Sequence, residues 1–253
     1  GTDKSETSLK DSHDEVMLLL RLMGLEGKVR VADGAVAAIP DMTTPAPSAG
    51  AELIIAQALR DDPRPLHIAF LGPLTDMASA LLMAPEIATR KLRVVWIGGG
   101  HWPEGNREYN LSNDIAAANV VARSGVEIWQ IPQPVYRQMG VSYAEMEERV
   151  RGQGEIGAYL VEQTIEWNAT MVEGPIEYRS LGDSPAIGVM MHPECGTSTQ
   201  VPAPEYDDAM RYVRTNHQPL RMYQNVDQRF ILEDMFAKLA RFARDQQPLA
   251  SFT

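Results

Sequence analysis

Two asparagines and a glutamate, Asn106, Glu108 and Asn110, alternate along one short stretch of this chain. An amide side chain donates and accepts hydrogen bonds, and a carboxylate accepts them. That combination suits a polyhydroxylated ligand, whose hydroxyl groups both orient against and pair with such side chains. The three residues close a segment built of two apolar runs, LHIAFLGPLTD at 66–76 and LRVVWIGGGHWPEGNREYNLSND at 92–114. Apolar runs of this length, ended by Gly and Pro, read as strands covered on both faces of a parallel sheet. Ligands in such sheets bind beyond the carboxyl ends of the strands. Residues 72–76 and 98–110 are expected at that edge, with Asn106, Glu108 and Asn110 as a polar rim over a pocket floored by strand ends.

The rest of the chain supplies elements to hold that rim. The pattern predicts a helix over 9–25, a strand over 28–32, a Pro- and Thr-rich loop over 39–48 and a helix over 49–59. After the strand at 66–71 comes a helix at 76–83, interrupted by Pro85 and resuming over 86–89 before the strand at 92–98. A helix over 112–123 carries Asn113 and Asp114 at its start, where capping side chains satisfy free N–H groups. Next come a strand over 126–132 and a helix over 142–150, opened by the Ser142/Glu145 capping pattern. A helix at 155–171, a buried helix at 185–191, a loop or edge strand at 197–204, a strand at 220–226 and a final amphipathic helix at 230–244 complete the order. The alternation predicts an α/β fold: an open, mainly parallel sheet with helices on both faces, in a single domain over 1–253.

Composition narrows the function classes. The net charge of −11 argues against a nucleic-acid partner, which needs a basic stripe. The single Cys195 allows no internal disulfide and no cysteine metal cluster. No apolar run reaches the ~20 residues that cross a bilayer. The expected setting is cytoplasmic, with no membrane partner.

Several of these segments, in order, resemble the nucleoside hydrolases of the inosine–uridine-preferring type. LGPLTD (71–76), APEI (84–87), VVWIGGG (94–100), EGN (104–106), E-Y-N (108–110), G-D-S-P-A (182–186) and N-V-D-Q-R-F (225–230) parallel the family's LGPLTN, xPEI, VVxMGG, EGN, EFN, HDPxA and VDxxRF. The resemblance implies hydrolysis of the N-glycosidic bond of a ribonucleoside or related N-riboside by a calcium-activated water. It implies that Asp183 and the backbone carbonyl of Leu71 are metal ligands, and that Asn106, Glu108, Asn110 and Ile97 (in place of a Met) bind the ribose. Thr2 stands where an Asn contacts the sugar. By the same analogy the protein forms a dimer or tetramer.

Departures from the pattern carry their own expectations. The family opens with D-x-D-x-x-x-D-D, which binds calcium and deprotonates the water, and nothing here matches it. Asp11, Asp14 and Glu15 lie in a helical pattern with the wrong spacing and read as caps and solvated surface. The catalytic base and further calcium ligands are therefore expected about forty residues upstream of Gly1, the size of a strand–helix–strand unit. Gly182 replaces the His that protonates the base in purine-cleaving relatives; Tyr178, Arg179, His101 and Tyr136 are the substitutes within reach of the pattern. Residues 43–48 replace the family's His-Gly loop. Asp183 has a simpler reading as the N-cap of the helix after it. A non-catalytic ribose- or nucleoside-binding protein is the alternative function, and an assembly subunit with a vestigial pocket a third.

Overall fold

The computed structural model describes residues 8–171 and 176–246. Thr2 lies outside them. Three runs of the sequence pair side by side as parallel strands: β1 (Leu66–Phe70), β2 (Leu92–Ile97) and β3 (Glu127–Ile131). β9 (Pro219–Tyr223) continues the parallel set next to β3, and β6 (Ser198–Pro202) closes that side antiparallel to β9. β1 forms the opposite edge and is half-buried along its length. Side chains alternate across a strand, and β2 shows the consequence. Leu92, Val94 and Trp96 join the core on one face, while Val95 and Ile97 join the core on the other.

Helices cover both faces. The first core packs under α2 (Ala49–Ala58), α3 (Thr75–Met83) and α5 (Ile115–Arg123). The second packs under α8 (Gly154–Met171), α9 (Ser184–Met191) and α10 (Gln228–Gln246). α1 (Ser8–Leu22) has no buried residue and lies against α8, where Glu15 accepts a hydrogen bond from the Tyr159 hydroxyl at 2.7 Å. Three short helices turn the chain at the strand ends: α4 (Tyr109–Asn113), α6 (Gln133–Tyr136) and α7 (Tyr143–Met146). Ser142 caps α7 by accepting from the Glu145 N–H. Two small ribbons lie outside the main sheet, β4 (Gly140–Ser142) with β5 (Tyr178–Ser180) and β7 (Glu205–Tyr206) with β8 (Tyr212–Val213).

The strand expected at 28–32 is absent. Those residues form turn and coil after Gly27, whose φ is 71°, and Val29 is 50% exposed. The KVRVA alternation reads as a half-buried strand, but no strand among the described residues pairs with it, and a lone strand leaves its backbone groups to water.

Asp114 ties this frame together on the site's side. It caps α5 by accepting from the Ala117 N–H at 2.9 Å, and its other oxygen accepts from the Ile39 N–H at 3.0 Å and the Thr75 hydroxyl at 2.7 Å. The residue is 4% exposed, so those three donors have no water to turn to. Asp114→Ala is expected to lower the unfolding free energy by ~2–5 kcal/mol, the cost of stranding buried donors and losing a cap. Urea unfolding measures it, and a loss below ~0.5 kcal/mol would contradict this role.

Candidate active site

The carboxyl ends of β1 and β2 open into a cleft of about 590 Å³. Its floor contains Leu71, Ile97, Glu108 and Asn110, and Asp183 lies across from them. Asn106 is not among the residues lining it. That side chain is used in its own loop: Oδ1 accepts from the His101 N–H at 2.6 Å, and Nδ2 donates to the Arg107 carbonyl at 3.0 Å. Of the six described residues singled out by resemblance, five thus share one cavity, and Asn106 shapes the turn beside it.

Glu108 is the most constrained of them. It is 1% exposed and N-caps α4. Oε1 accepts from the Asn110 N–H at 3.1 Å and the Tyr136 hydroxyl at 2.8 Å. Oε2 accepts from the Gly99 N–H at 3.0 Å and the Leu111 N–H at 2.8 Å. A carboxylate offers about four acceptor positions, so the protein fills them all. Three of the donors are backbone groups fixed by the fold. The Tyr136 hydroxyl is on a side chain, so it alone of the four can swing away without moving the backbone.

The Gly99 donor depends on a second buried network. Gly99 has φ 85°, which favours glycine. A Cβ there would lie 2.2 Å from Gln130 Nε2 and 2.5 Å from the Tyr212 hydroxyl. Gln130, fully buried on β3, donates to the Gly98 carbonyl at 3.0 Å and accepts from the Tyr206 hydroxyl at 3.2 Å. Tyr212 donates to the Gly100 carbonyl at 2.9 Å. The triple-glycine turn is therefore held on its carbonyl side and left free to aim one N–H at Glu108. Sequence reasoning missed this network, although a lone Gln inside the apolar run 126–132 was a visible signal.

Asn110 bridges the strand ends, donating from Nδ2 to the Ile97 carbonyl at 2.7 Å and the Leu71 carbonyl at 3.3 Å. Asp183 sits at the N-cap position of α9 but makes no capping hydrogen bond, and among the described residues its carboxylate has no hydrogen-bond partner. It keeps an exposed face in the cleft. The protein packed around it still displaces enough water to push its carboxyl above the usual carboxylate range. The Arg179 guanidinium opposes that push, and the charge of Glu108 adds to it. Burial also raises the Tyr136 phenol well above its ordinary range, with the charge and hydrogen bond of Glu108 adding to the effect.

The remaining candidates separate cleanly. Tyr178, Arg179 and Tyr136 line the cleft. His101 is on the outer loop, its Nδ1 3.2 Å from Glu104, and Trp102 packs against Tyr212 in a neighbouring groove. Asp114 caps α5 as the sequence predicts, whereas Asn113 ends α4 and donates from Nδ2 to the Tyr109 carbonyl at 2.9 Å instead of accepting from free N–H groups. Among the described residues, no three of His, Cys, Asp and Glu gather as a metal-holding group.

The profile of the inosine-uridine preferring nucleoside hydrolases matches residues 4–233. The chain belongs to this family. It is 28% identical over 134 residues to the pyrimidine-specific ribonucleoside hydrolase RihA of Citrobacter koseri, a match covering 51% of this chain and 42% of that protein. The match to the Salmonella typhimurium protein of the same name is 26% identical over 162 residues, covering 62% and 49%. The chain thus spans about half the length of the curated relatives it matches. Among solved structures, the purine-preferring ribonucleoside hydrolase from Gardnerella vaginalis superposes with a TM-score of 0.77 at 19% identity, covering 91% of this chain and 85% of that one. The α/β architecture and its parallel sheet are those of the family.

Gly182 packs closely against Tyr136. A Cβ at Gly182 would lie 2.9 Å from Tyr136 Cδ2, so the Tyr136 ring fills the space that a side chain at 182 would need. Gly182→His alone is expected to cost ~1–3 kcal/mol through overpacking. Adding Tyr136→Ala should relieve part of that strain, giving a favourable coupling on the order of 1 kcal/mol in a double-mutant cycle. Additive costs in denaturant unfolding would show that the two positions do not compete for space.

Proposed function

We propose that this protein hydrolyses the N-glycosidic bond of a ribonucleoside or related N-riboside. One observation carries the reading: the Leu71 carbonyl, Ile97, Glu108, Asn110 and the unpartnered Asp183 carboxylate meet in one cleft at the strand ends. Cleavage of such a bond passes through an oxocarbenium-like sugar, which demands a held ring and a poised water. Asn110 offers its Oδ1 to a ribose hydroxyl while its amide nitrogen is fixed on two strand-end carbonyls. Glu108 accepts a hydroxyl in exchange for that of Tyr136. Ile97 packs beneath the ring. The pyrimidine-specific names of the curated relatives favour a pyrimidine riboside.

Calcium is the expected cofactor. Asp183 and the Leu71 carbonyl are hard oxygen donors and fit one flank of its shell, which takes ~6–8 oxygens in all. When bound, the ion supplies an acidified water and a grip on the ribose diol. The partial donor set among the described residues is what favours the second reading, a protein that binds nucleosides without turning them over. A homo-oligomer and a cytoplasmic setting are part of the proposal by analogy with the family; no helix among the described residues is long and apolar enough to cross a membrane.

In the full-length protein, Asp183→Ala is expected to abolish calcium binding and ribose release together. Calorimetry with calcium and a ribose-release assay on several nucleosides test this. Wild-type calcium affinity in the variant would remove Asp183 from the metal site. A folded full-length protein that binds nucleosides but releases no ribose would establish the second reading.

A further inference from the structure

Arg179 is a cation lining the cleft, and no carboxylate among the described residues lies within salt-bridge distance of it. The residue is half-buried on β5, and Nη1 donates to Asn168 Oδ1 at 3.1 Å. Asn168 is 5% exposed and is itself pinned, donating to the Tyr143 hydroxyl at 2.7 Å and the Tyr178 carbonyl at 2.8 Å. Among the described residues no carboxylate forms a salt bridge with Arg179, whereas most other arginines with described side-chain contacts pair with Asp or Glu. A buried amide thus holds a guanidinium in place at the cleft, where its charge acts at longer range on the Asp183 carboxylate.

Arg137 also lines the cleft, and Arg179 differs from it in being held by a buried amide. The other groups of the cleft that could hand a proton to a departing base are occupied. Gly182 has no side chain. Tyr136 commits its proton to Glu108 at 2.8 Å. The Tyr178 hydroxyl donates to the Arg137 carbonyl at 3.4 Å. His101 is outside the cleft. A purine leaves readily only when its ring is protonated, which needs an acid. A pyrimidine dione can leave with the bonding electrons and spread the negative charge over its carbonyl oxygens, which needs a cation.

We propose that Arg179, held by Asn168, stabilises the negative charge on the departing base, so that this protein selects N-ribosides whose base leaves as an anion. The inference rests on the hydrolase reading. The C1′–N bond breaks with both electrons going to the base, and the water oxygen forms the new bond to C1′. Water loses one proton in that step, and the released base takes one up from solvent, so the products are ribose and the neutral base. A planar guanidinium suits the task because it stays charged and presents several N–H donors to carbonyl oxygens. Fixed donors of this kind, aimed where charge develops, are worth ~10²–10³ in rate.

The test compares uridine, inosine and p-nitrophenyl riboside as substrates of the full-length protein, with Arg179→Gln, Arg179→Lys and Arg179→Ala variants checked for native melting. Wild type is expected to prefer uridine to inosine. Arg179→Gln should lower kcat for uridine ~10²–10³-fold with little change in KM, and should lower it less than ~10-fold for p-nitrophenyl riboside, whose phenolate is stable without help. Guanidinium chloride at non-denaturing concentration should restore part of the uridine activity of Arg179→Ala. Equal losses on both substrates, a wild-type preference for inosine, or no guanidinium rescue overturns the role of Arg179 while leaving a hydrolase. If the full-length protein cleaves none of the three, the hydrolase reading falls and this inference with it.

Discussion

The geometry of the cleft depends on one buried negative charge. Glu108 is almost wholly shielded from water, and a carboxylate in that position is tolerable only when hydrogen bonds replace its hydration. Four donors do so, and they come from three separate parts of the chain: the Gly99 turn after β2, the first turn of α4, and Tyr136 at the end of α6. Each donor approaches only if its segment is correctly placed. The carboxylate therefore acts as a template that assembles the strand-end loops, in addition to any contact it makes with a ligand.

Around that charge the fold divides its labour. Rigid strands carry the Leu71 and Ile97 carbonyls to the cleft, and Asn110 clamps the two together. The buried Gln130, Tyr206 and Tyr212 hold the glycine turn from behind, using polar groups that are all satisfied. Fully satisfied buried networks of this sort rigidify a site, since each broken member leaves others stranded. Asp183 and Arg179 line the same cleft and form no salt bridge among the described residues. The cleft thus has a saturated side that positions and an unsaturated side that can meet a ligand.

Much of this was legible in the sequence. The runs at 66–71, 92–98 and 126–132 form parallel strands as their largely apolar character implies, although β1 lies at the edge and is only half-buried instead of covered on both faces. The 28–32 run misled because alternation alone does not supply a pairing partner. Within the site, residue types pointed to Glu108 but not to its saturation, because Tyr136 reaches it from 28 positions away through the turn of α6. Asn106 looks equivalent to Asn110 in the sequence, yet the four-residue step between them decides which amide meets the strand ends. Gly182 was visible as a departure, whereas the ring of Tyr136 filling its place depends on tertiary packing.

Replacing one Glu108 oxygen by an amide nitrogen tests the template most directly. In Glu108→Gln the shape is kept, but an NH₂ group faces two donors that formerly pointed at an acceptor. Urea unfolding and ribose release, measured on the same preparation, are expected to show a stability loss of at least ~2 kcal/mol, from unsatisfied buried donors, together with loss of turnover. Wild-type unfolding and undiminished ribose release in that variant would contradict the account.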